Sequence, residues 1–428
     1  MQGQFKKNQY LNKNIVFSKT FSSIINVLFY LFFLLGTNGY ASDNKTIDFQ
    51  HFWISPGEKA ALSLIENKFY ENKVKWFDSP SLDYETMKND FIRRTSVGFP
   101  PSALWLGGED IQSFHSLGIL ENLTNITQDN EWSENIYDFI VESTKNGNSA
   151  IVLPITIHNE NWAWYNTEIY HSLDLPFPDN WDEFIQQAAI IQKAGYLPLA
   201  INEQEWSIRL LFTTIVAGVG GKGVYNQLFI DEDLTVFDHP KIQRALSILA
   251  QLRTFKPLPA QVKTWDQATN LLMNNQAAMQ IMGDWVRGEL IVSGRDLKGK
   301  IICTSPPEAD NLFIAAIDFI AFPKVQSKKE QAGQQLLVKT ILDKELQINF
   351  SKLKGSTPVR KDIQAEQLNS CAAKSLPYLI NSQQRLLSPR MTMSEQLRSI
   401  MQKKLLEFWN NGDMTVKQVT LQLKNLKK

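Results

Sequence analysis

The chain has 428 residues, enough for two lobes with separate cores, and its composition is globular: 43% hydrophobic, 21% charged, with 11 Trp. Lys+Arg and Asp+Glu both number 44, so no charge excess draws the chain to nucleic acid or to an anionic membrane. Two Cys and five scattered His offer none of the usual metal-ligand spacings, and no motif calls for a cofactor.

The first element is a targeting segment. Lys6, Lys7, Lys13 and Lys19 precede the apolar run Val27 to Leu35, and Gly39-Tyr40-Ala41 places small residues at the −3 and −1 positions of a signal peptidase site. Residues 1–41 read as a signal peptide cleaved after Ala41, with an uncleaved anchor as the alternative. Four Lys and no acid fall in that segment, so the processed chain carries 40 basic and 44 acidic groups. The compartment is then the periplasm. In an oxidising compartment Cys303 and Cys371 read as one disulfide, with two buried free thiols as the alternative.

In the exported part, Ile47 to Trp53 predicts a strand, and Pro56-Gly57 a turn into a helix with Leu62, Ile65 and Phe69 on one face. Glu58 opens that helix on the edge where strands end. Trp53 and Glu58 read either as cleft residues or as a core indole and a helix-capping acid. Val74 to Asp78 and Ala103 to Leu106 are further strands, separated by a helix over Met87 to Arg94. Such alternation predicts a parallel sheet covered on both faces. Ile151 to Ile157 contains Pro154, which points to a crossing between lobes rather than a central strand. Asn180 with Glu183 forms a capping box opening a helix through Ile191. Pro198 to Ile201 is a short strand followed by Glu205-Trp206. Gly218 to Gly223 reads as a flexible turn, because it lacks the spacing of a phosphate loop.

Pro240 to Leu252 is an amphipathic helix, and Thr264 caps another with Ala268, Leu271 and Leu272 on one face. Ala277 to Met282 is a short apolar run, expected as a strand buried on both faces, ending at Gly283-Asp284-Trp285. Ligands of open α/β sheets bind beyond the carboxyl ends of strands. A carboxylate that accepts from two hydroxyls beside an indole that covers C–H groups suits a pyranose; a core Trp beside a capping Asp is the alternative. In Leu312 to Phe322 one acid, Asp318, interrupts an apolar run, and a buried carboxylate has to be paired, capping or lining a cleft. Lys354 to Arg360 is a third candidate crossing, and Val416, Val419 and Leu423 mark a last amphipathic helix.

In order along the chain, His51-Phe52-Trp53, Gly57-Glu58, Pro100-Pro101, Asp110-Ile111-Gln112, Asn161-Trp162 and Trp181-Asp182-Glu183-Phe184 are joined by Gly218 to Gly221, Gln280 to Trp285, Ile317-Asp318 and Lys354 to Arg360. Taken together they resemble the extracellular solute-binding proteins of ABC sugar importers, in particular their glucose and mannose-binding branch. The resemblance implies an α/β, two-lobed, type II-like periplasmic binding protein with several crossing hinge segments and no catalysis. Its lobes would be residues 42–154 with 315–354, and 155–314 with 355–428. Its partners would be a small-molecule carbohydrate and ABC permease subunits, with the protein itself a monomer.

By position, the resemblance implies ligand contacts from Trp53, Glu58 and Asp110 in the first lobe, from Trp206, Trp265, Asp284 and Trp285 in the second, and from Asp318 and Lys354 near the crossings. The branch has Lys where Gly107 stands, Asn where Ala316 stands, a His within the stretch that here reads Ser388 to Met393, and Trp at Phe52. Two other classes stay open on residues alone: a sensor or non-sugar solute-binding protein, and a glycoside hydrolase using Glu58, Asp284 and Asp318.

Overall fold

The computed structural model describes residues 45–426, apart from 128–130, 148, 258–261 and 295–298. The expected signal peptide and its cleavage site lie outside the described residues.

The first lobe begins as anticipated from the strand and helix periods. Strand β1 (Thr46–His51) leads through helix α1 (Pro56–Glu71) to β2 (Lys75–Pro80), then through α2 (Tyr84–Ser96) to β3 (Ala103–Leu106), with a short helix α3 (Asp110–Ser116) beyond it. Ser55 and Glu58 form a capping box on α1, each side chain bonded to the other's backbone N–H, which satisfies two donors that a helix start leaves open.

The chain then crosses. Strand β4 (Val152–Asn159) belongs to the first sheet and β5 (Trp162–Asn166) to the second, with only Glu160 and Asn161 between them. The second lobe continues with α4 (Trp181–Lys193), β6 (Leu197–Leu199), α5 (Glu205–Phe229), α6 (Pro240–Leu252), α7 (Trp265–Met273), β7 (Ala277–Met282), α8 (Val286–Val292) and β8 (Ile301–Thr304). Strand β9 (Phe313–Ala321) returns to the first sheet and is followed by α9 (Lys328–Leu342) and α10 (Lys344–Lys354). The C-terminal part comprises α11 (Ser370–Ile380), β10 (Arg385–Leu387), α12 (Pro389–Thr392), α13 (Glu395–Asn410) and α14 (Val416–Lys424).

The first sheet runs β10-β9-β3-β1-β2 with β4 also on β9, and the second runs β8-β5-β7-β6. Only part of the expected parallel pairing holds. Strands β2 and β3 lie parallel to β1, as βαβ connections require. Strand β9 arrives after a crossing and runs antiparallel to both β3 and β4. Both sheets are therefore mixed, because a chain that leaves a lobe and comes back need not return in the same direction.

One buried cluster gathers Ile47 to Ile157, Phe313 to Phe322 and Leu337 to Val359; a second gathers Trp162 to Ile301 with Met393 to Leu423. The segment 355–428 does not lie wholly with the second core. Arg385 to Leu387 pairs with Phe313 to Ala315 of the first sheet, and Leu379 packs in the first core. Pro154 behaves as its chemistry demands: β4 pairs only with β9 in the ladder, and the register shifts between Asp318 and Phe319, opposite the residue that lacks an N–H.

Gly218 to Gly223 is not a loop. It lies within α5, which is buried almost all round and runs through the second core, and Gly218 packs where an added Cβ would sit 2.9 Å from the Glu308 carbonyl carbon. The break that a glycine run leads one to expect is confined to Gly221, whose φ of 69° and ψ of 177° are not helical, so α5 is two helical segments that meet there at a kink. By length and composition this helix could cross a membrane, but it is a core element of the second lobe. Thr264 stands at the N-cap of α7 without a side-chain bond; Gln267 accepts the Lys263 N–H instead. Sulfurs of Cys303, on β8, and Cys371, on α11, are bonded, tying the edge of the second sheet to the C-terminal segment.

Candidate functional site

Strand β7 is buried along its whole length and stops at Gly283. The Trp285 indole folds back over that glycine, where a Cβ would come within 2.3 Å of the ring. Replacing Gly283 with Ala is therefore expected to swing Trp285 out of place. Its indole fluorescence should shift while far-UV dichroism stays native; an unmoved emission band would contradict this.

Between glycine and indole stands Asp284, 1% exposed. Its Oδ2 accepts from the Asn159 N–H at 2.8 Å and its Oδ1 lies 2.5 Å from His158 Nδ1. The other ring nitrogen, His158 Nε2, is 3.2 Å from Asp318 Oδ2, and Asp318 Oδ1 accepts from Arg390 Nη2 at 3.1 Å. Four charged groups thus form one chain at the junction of the sheets, held by β4, β9, the end of β7 and α12. Asp318 is paired, as a buried acid must be, and it lies at the irregularity in the β4–β9 register that turns its side chain.

Burial alone would lower the His158 pKa, but Asp284 and Asp318 on either side raise it to about 9, so the ring is an imidazolium at neutral pH. Burial pushes the Asp318 carboxyl up, yet His158 and Arg390 together hold it well below the usual carboxylate range. For Asp284 burial prevails and the shift is upward, against the pull of His158 and the Asn159 N–H.

Aromatic rings flank this chain on two sides. On one, the Trp285 ring meets His158 edge to face at 5.3 Å, and Trp206 and Trp265 stand 6.2 and 6.3 Å from Trp285; all three are partly exposed and pack on the second core. On the other, the Arg390 guanidinium lies 5.1 Å over Trp105, which contacts Phe52 at 4.7 Å and Tyr84 at 5.3 Å. Asp110 joins this side through the Tyr84 hydroxyl, which donates to it at 2.5 Å, with Lys88 3.3 Å away.

A smaller cluster adjoins. Lys354 is buried at the end of α10, donates to Glu58 at 2.8 Å, and places its ammonium 5.0 Å over Trp53. Gly355 follows with φ 86°, and a Cβ there would lie 2.3 Å from the Asp284 carbonyl oxygen, so only glycine lets this turn approach the junction. Next to it Gly57 donates to Glu289 Oε1 at 2.9 Å, which joins the start of α1 to α8.

Of the nine residues singled out in the sequence, the structure gathers Asp284, Trp285, Asp318, Trp206 and Trp265 around one junction. Glu58, Lys354 and Trp53 form the adjoining cluster, and Asp110 stands off at the Tyr84 end. Two placements differ from the cleft roles expected. Trp53, 1% exposed, is a core indole against Phe49 and Phe350. Each Asp284 oxygen already accepts one bond within the protein, so the carboxylate is a fixed part of the junction with only part of its accepting capacity left. Sequence patterning does not single out His158, Arg390 or Trp105, which the geometry adds to the junction. A partner for Asp318 was required by its burial, and His158, directly after Ile151 to Ile157, was the His best placed to supply it.

No group of three or more His, Cys, Asp or Glu among the described residues is arranged to hold a metal ion. Two α/β lobes meeting at a buried ionic junction, with aromatic rings from both sides converging on it, define a two-lobed solute receptor. The chain belongs to the bacterial extracellular solute-binding protein family, whose model matches residues 53–338. A probable sugar-binding periplasmic protein of Mesorhizobium japonicum is 24% identical over 344 residues, covering 80% of this chain and 82% of the relative. One from Brucella suis is 26% identical over 338 residues, covering 78% and 80%. Among solved structures, the bacterial solute receptor AcbH, described as preferring β-D-galactopyranose, superposes with a TM-score of 0.74 at 19% identity, over 89% of this chain and 97% of the receptor. A chitin oligosaccharide binding protein also gives 0.74, at 16% identity, with the same coverage. At such identities the structural likeness shows the fold.

Proposed function

We propose that this chain is a periplasmic carbohydrate-binding protein that hands a sugar to the permease of an ABC transporter. The observation that carries the reading is the convergence of Trp206, Trp265 and Trp285 from one core, and Phe52, Tyr84 and Trp105 from the other, on the Asp284–His158–Asp318–Arg390 chain. Rings cover the C–H faces of a pyranose while fixed charges orient its hydroxyls. A ligand held between two lobes is enclosed by hinge motion at the crossings. The permease reads the closed form, and the protein acts as a monomer.

Binding without catalysis fits the same geometry. Asp284 and Asp318 are both locked to His158, which leaves neither to act as acid or nucleophile on a glycosidic bond. Ordered motifs favour the glucose and mannose-binding branch. Three of its polar anchors are replaced here, however, and each lost hydrogen bond costs about 1 kcal/mol. At Gly107 the change is linked to the Trp105 indole, whose Cη2 would lie 2.9 Å from a Cβ there. Calorimetric titration of the purified protein against mono- and oligosaccharides should find a carbohydrate that binds more tightly than glucose. Glucose as the tightest ligand would contradict the altered specificity, and no saccharide binding would contradict the function.

A further inference from the structure

Arg209 is the outlier among the charged side chains near the junction. It lies on α5 one turn after Trp206, so the two share a helix face, and it is 3% exposed. Neither its Nε nor its Nη1 has a hydrogen-bond partner in the protein. Glu160 Oε2 stands 3.9 Å from Nη1, beyond hydrogen-bond reach, and already accepts from the Ser388 hydroxyl at 2.7 Å. Arg390, two residues after Ser388, is close enough to repel it electrostatically, as is Arg398. A buried guanidinium with two unsatisfied donors is costly unless an acceptor from outside the chain completes it.

Two indole donors flank the same junction. Trp105 Nε1, under the Arg390 guanidinium, and Trp285 Nε1, beside His158, are buried donors without partners. A neutral pyranose offers hydroxyls that both donate and accept. A carboxylate is acceptor-only, and its two oxygens match the planar fork of an arginine. We propose that the sugar recognised by this protein carries a carboxylate, a hexuronate, with Arg209 as the residue that reads it and Arg390 beside it. The inference rests on the carbohydrate reading of the site and names the class of sugar.

Whether the uronate comes as a free monosaccharide or as a unit of an oligosaccharide is decided by the same titration. The full processed chain is titrated calorimetrically with glucuronate, galacturonate, their di- and trisaccharides, and the neutral glucose and galactose compounds of equal length. The tightest ligand should be a uronate, bound at least about tenfold more tightly than its neutral counterpart. Arg209→Gln should bring that ratio close to one. Arg209→Lys, which keeps the charge and removes the fork, should lower it in part. A neutral sugar that binds wild type more tightly than its uronate overturns the proposal and leaves carbohydrate binding standing, as does a ratio untouched in folded Arg209→Gln. Absence of binding by every saccharide overturns the carbohydrate reading and this proposal with it. The wild-type series decides even if both variants misfold.

Discussion

Replacing His158 with Ala is expected to destabilise the folded protein by about 3 to 5 kcal/mol, the range for removing one member of a buried ion pair. Among the described residues the ring is the group hydrogen-bonded to both Asp284 and Asp318, and its loss would leave two buried carboxylates without the cation between them. Arg390 would still serve Asp318 from one side, and the Asn159 N–H would still serve Asp284. Neither replaces a charge in contact with both acids.

The same group makes stability depend on pH. Folding raises the His158 pKa from its ordinary 6.5 to about 9, so the folded protein binds this proton more tightly than the unfolded one. Its contribution is fully present below about pH 6.5 and is lost as the pH rises through about 9. Asp284, Asp318, Arg390 and Lys354 are the charged groups whose fields meet in this network. Urea unfolding across pH 6 to 9.5 should show wild-type stability falling over that window and His158→Ala nearly flat. A wild type equally stable at both ends would contradict the pairing.

The second large effect concerns the Cys303–Cys371 bond. Its sequence separation of 68 closes a long loop, for which the chain-entropy model gives roughly 4 kcal/mol of stabilisation through the unfolded state. Changing both cysteines to Ser should lower the midpoint of thermal unfolding by several degrees and leave ligand binding in place, since neither residue borders the junction. An unchanged midpoint, or two titratable thiols in the denatured, unreduced wild type, would show that the bond is absent.

Much of the fold was legible because local signals agreed with one another. Pro240 to Leu252 combines a proline at the first helical position with an apolar stripe, and α6 has the same bounds. Ala277 to Met282 is an apolar run too short for a helix and bounded by breakers, and β7 occupies it. Where two signals conflicted, tertiary packing prevailed. The four glycines between 218 and 223 have poor helix propensity, yet the apolar residues around them find partners in the core, and only Gly221 leaves the helical conformation. The direction of β9 could not be read from its composition, because an all-buried strand carries the same residues whichever way it runs.

Of the candidate site, Trp206, Trp265, Trp285, Asp284, Asp318 and Lys354 stood out in the sequence, whereas His158, Arg390, Arg209 and Trp105 did not. Asp318 and Asp284 stand out as acids at the end of, or inside, apolar runs. His158 follows an apolar run directly and Arg209 interrupts one between Ile208 and Leu210, so each is marked by position but not by any partner visible in the local sequence. Arg390 lies in a stretch notable, by comparison with the sugar-binding branch, for the histidine it lacks. What unites them is long-range pairing: His158 meets Asp284 at a sequence distance of 126 and Asp318 at 160.

In the proposed complex the sugar lies against Trp285, the ring that adjoins His158, Trp206 and Trp265 together. Titrating Trp285→Ala with the saccharide that binds wild type most tightly is therefore the most direct test. Loss of an indole that covers a sugar face should weaken binding at least about tenfold, equivalent to about 1.4 kcal/mol, in a variant whose dichroism remains native. Unchanged affinity in that folded variant would place the sugar elsewhere and contradict the site described here.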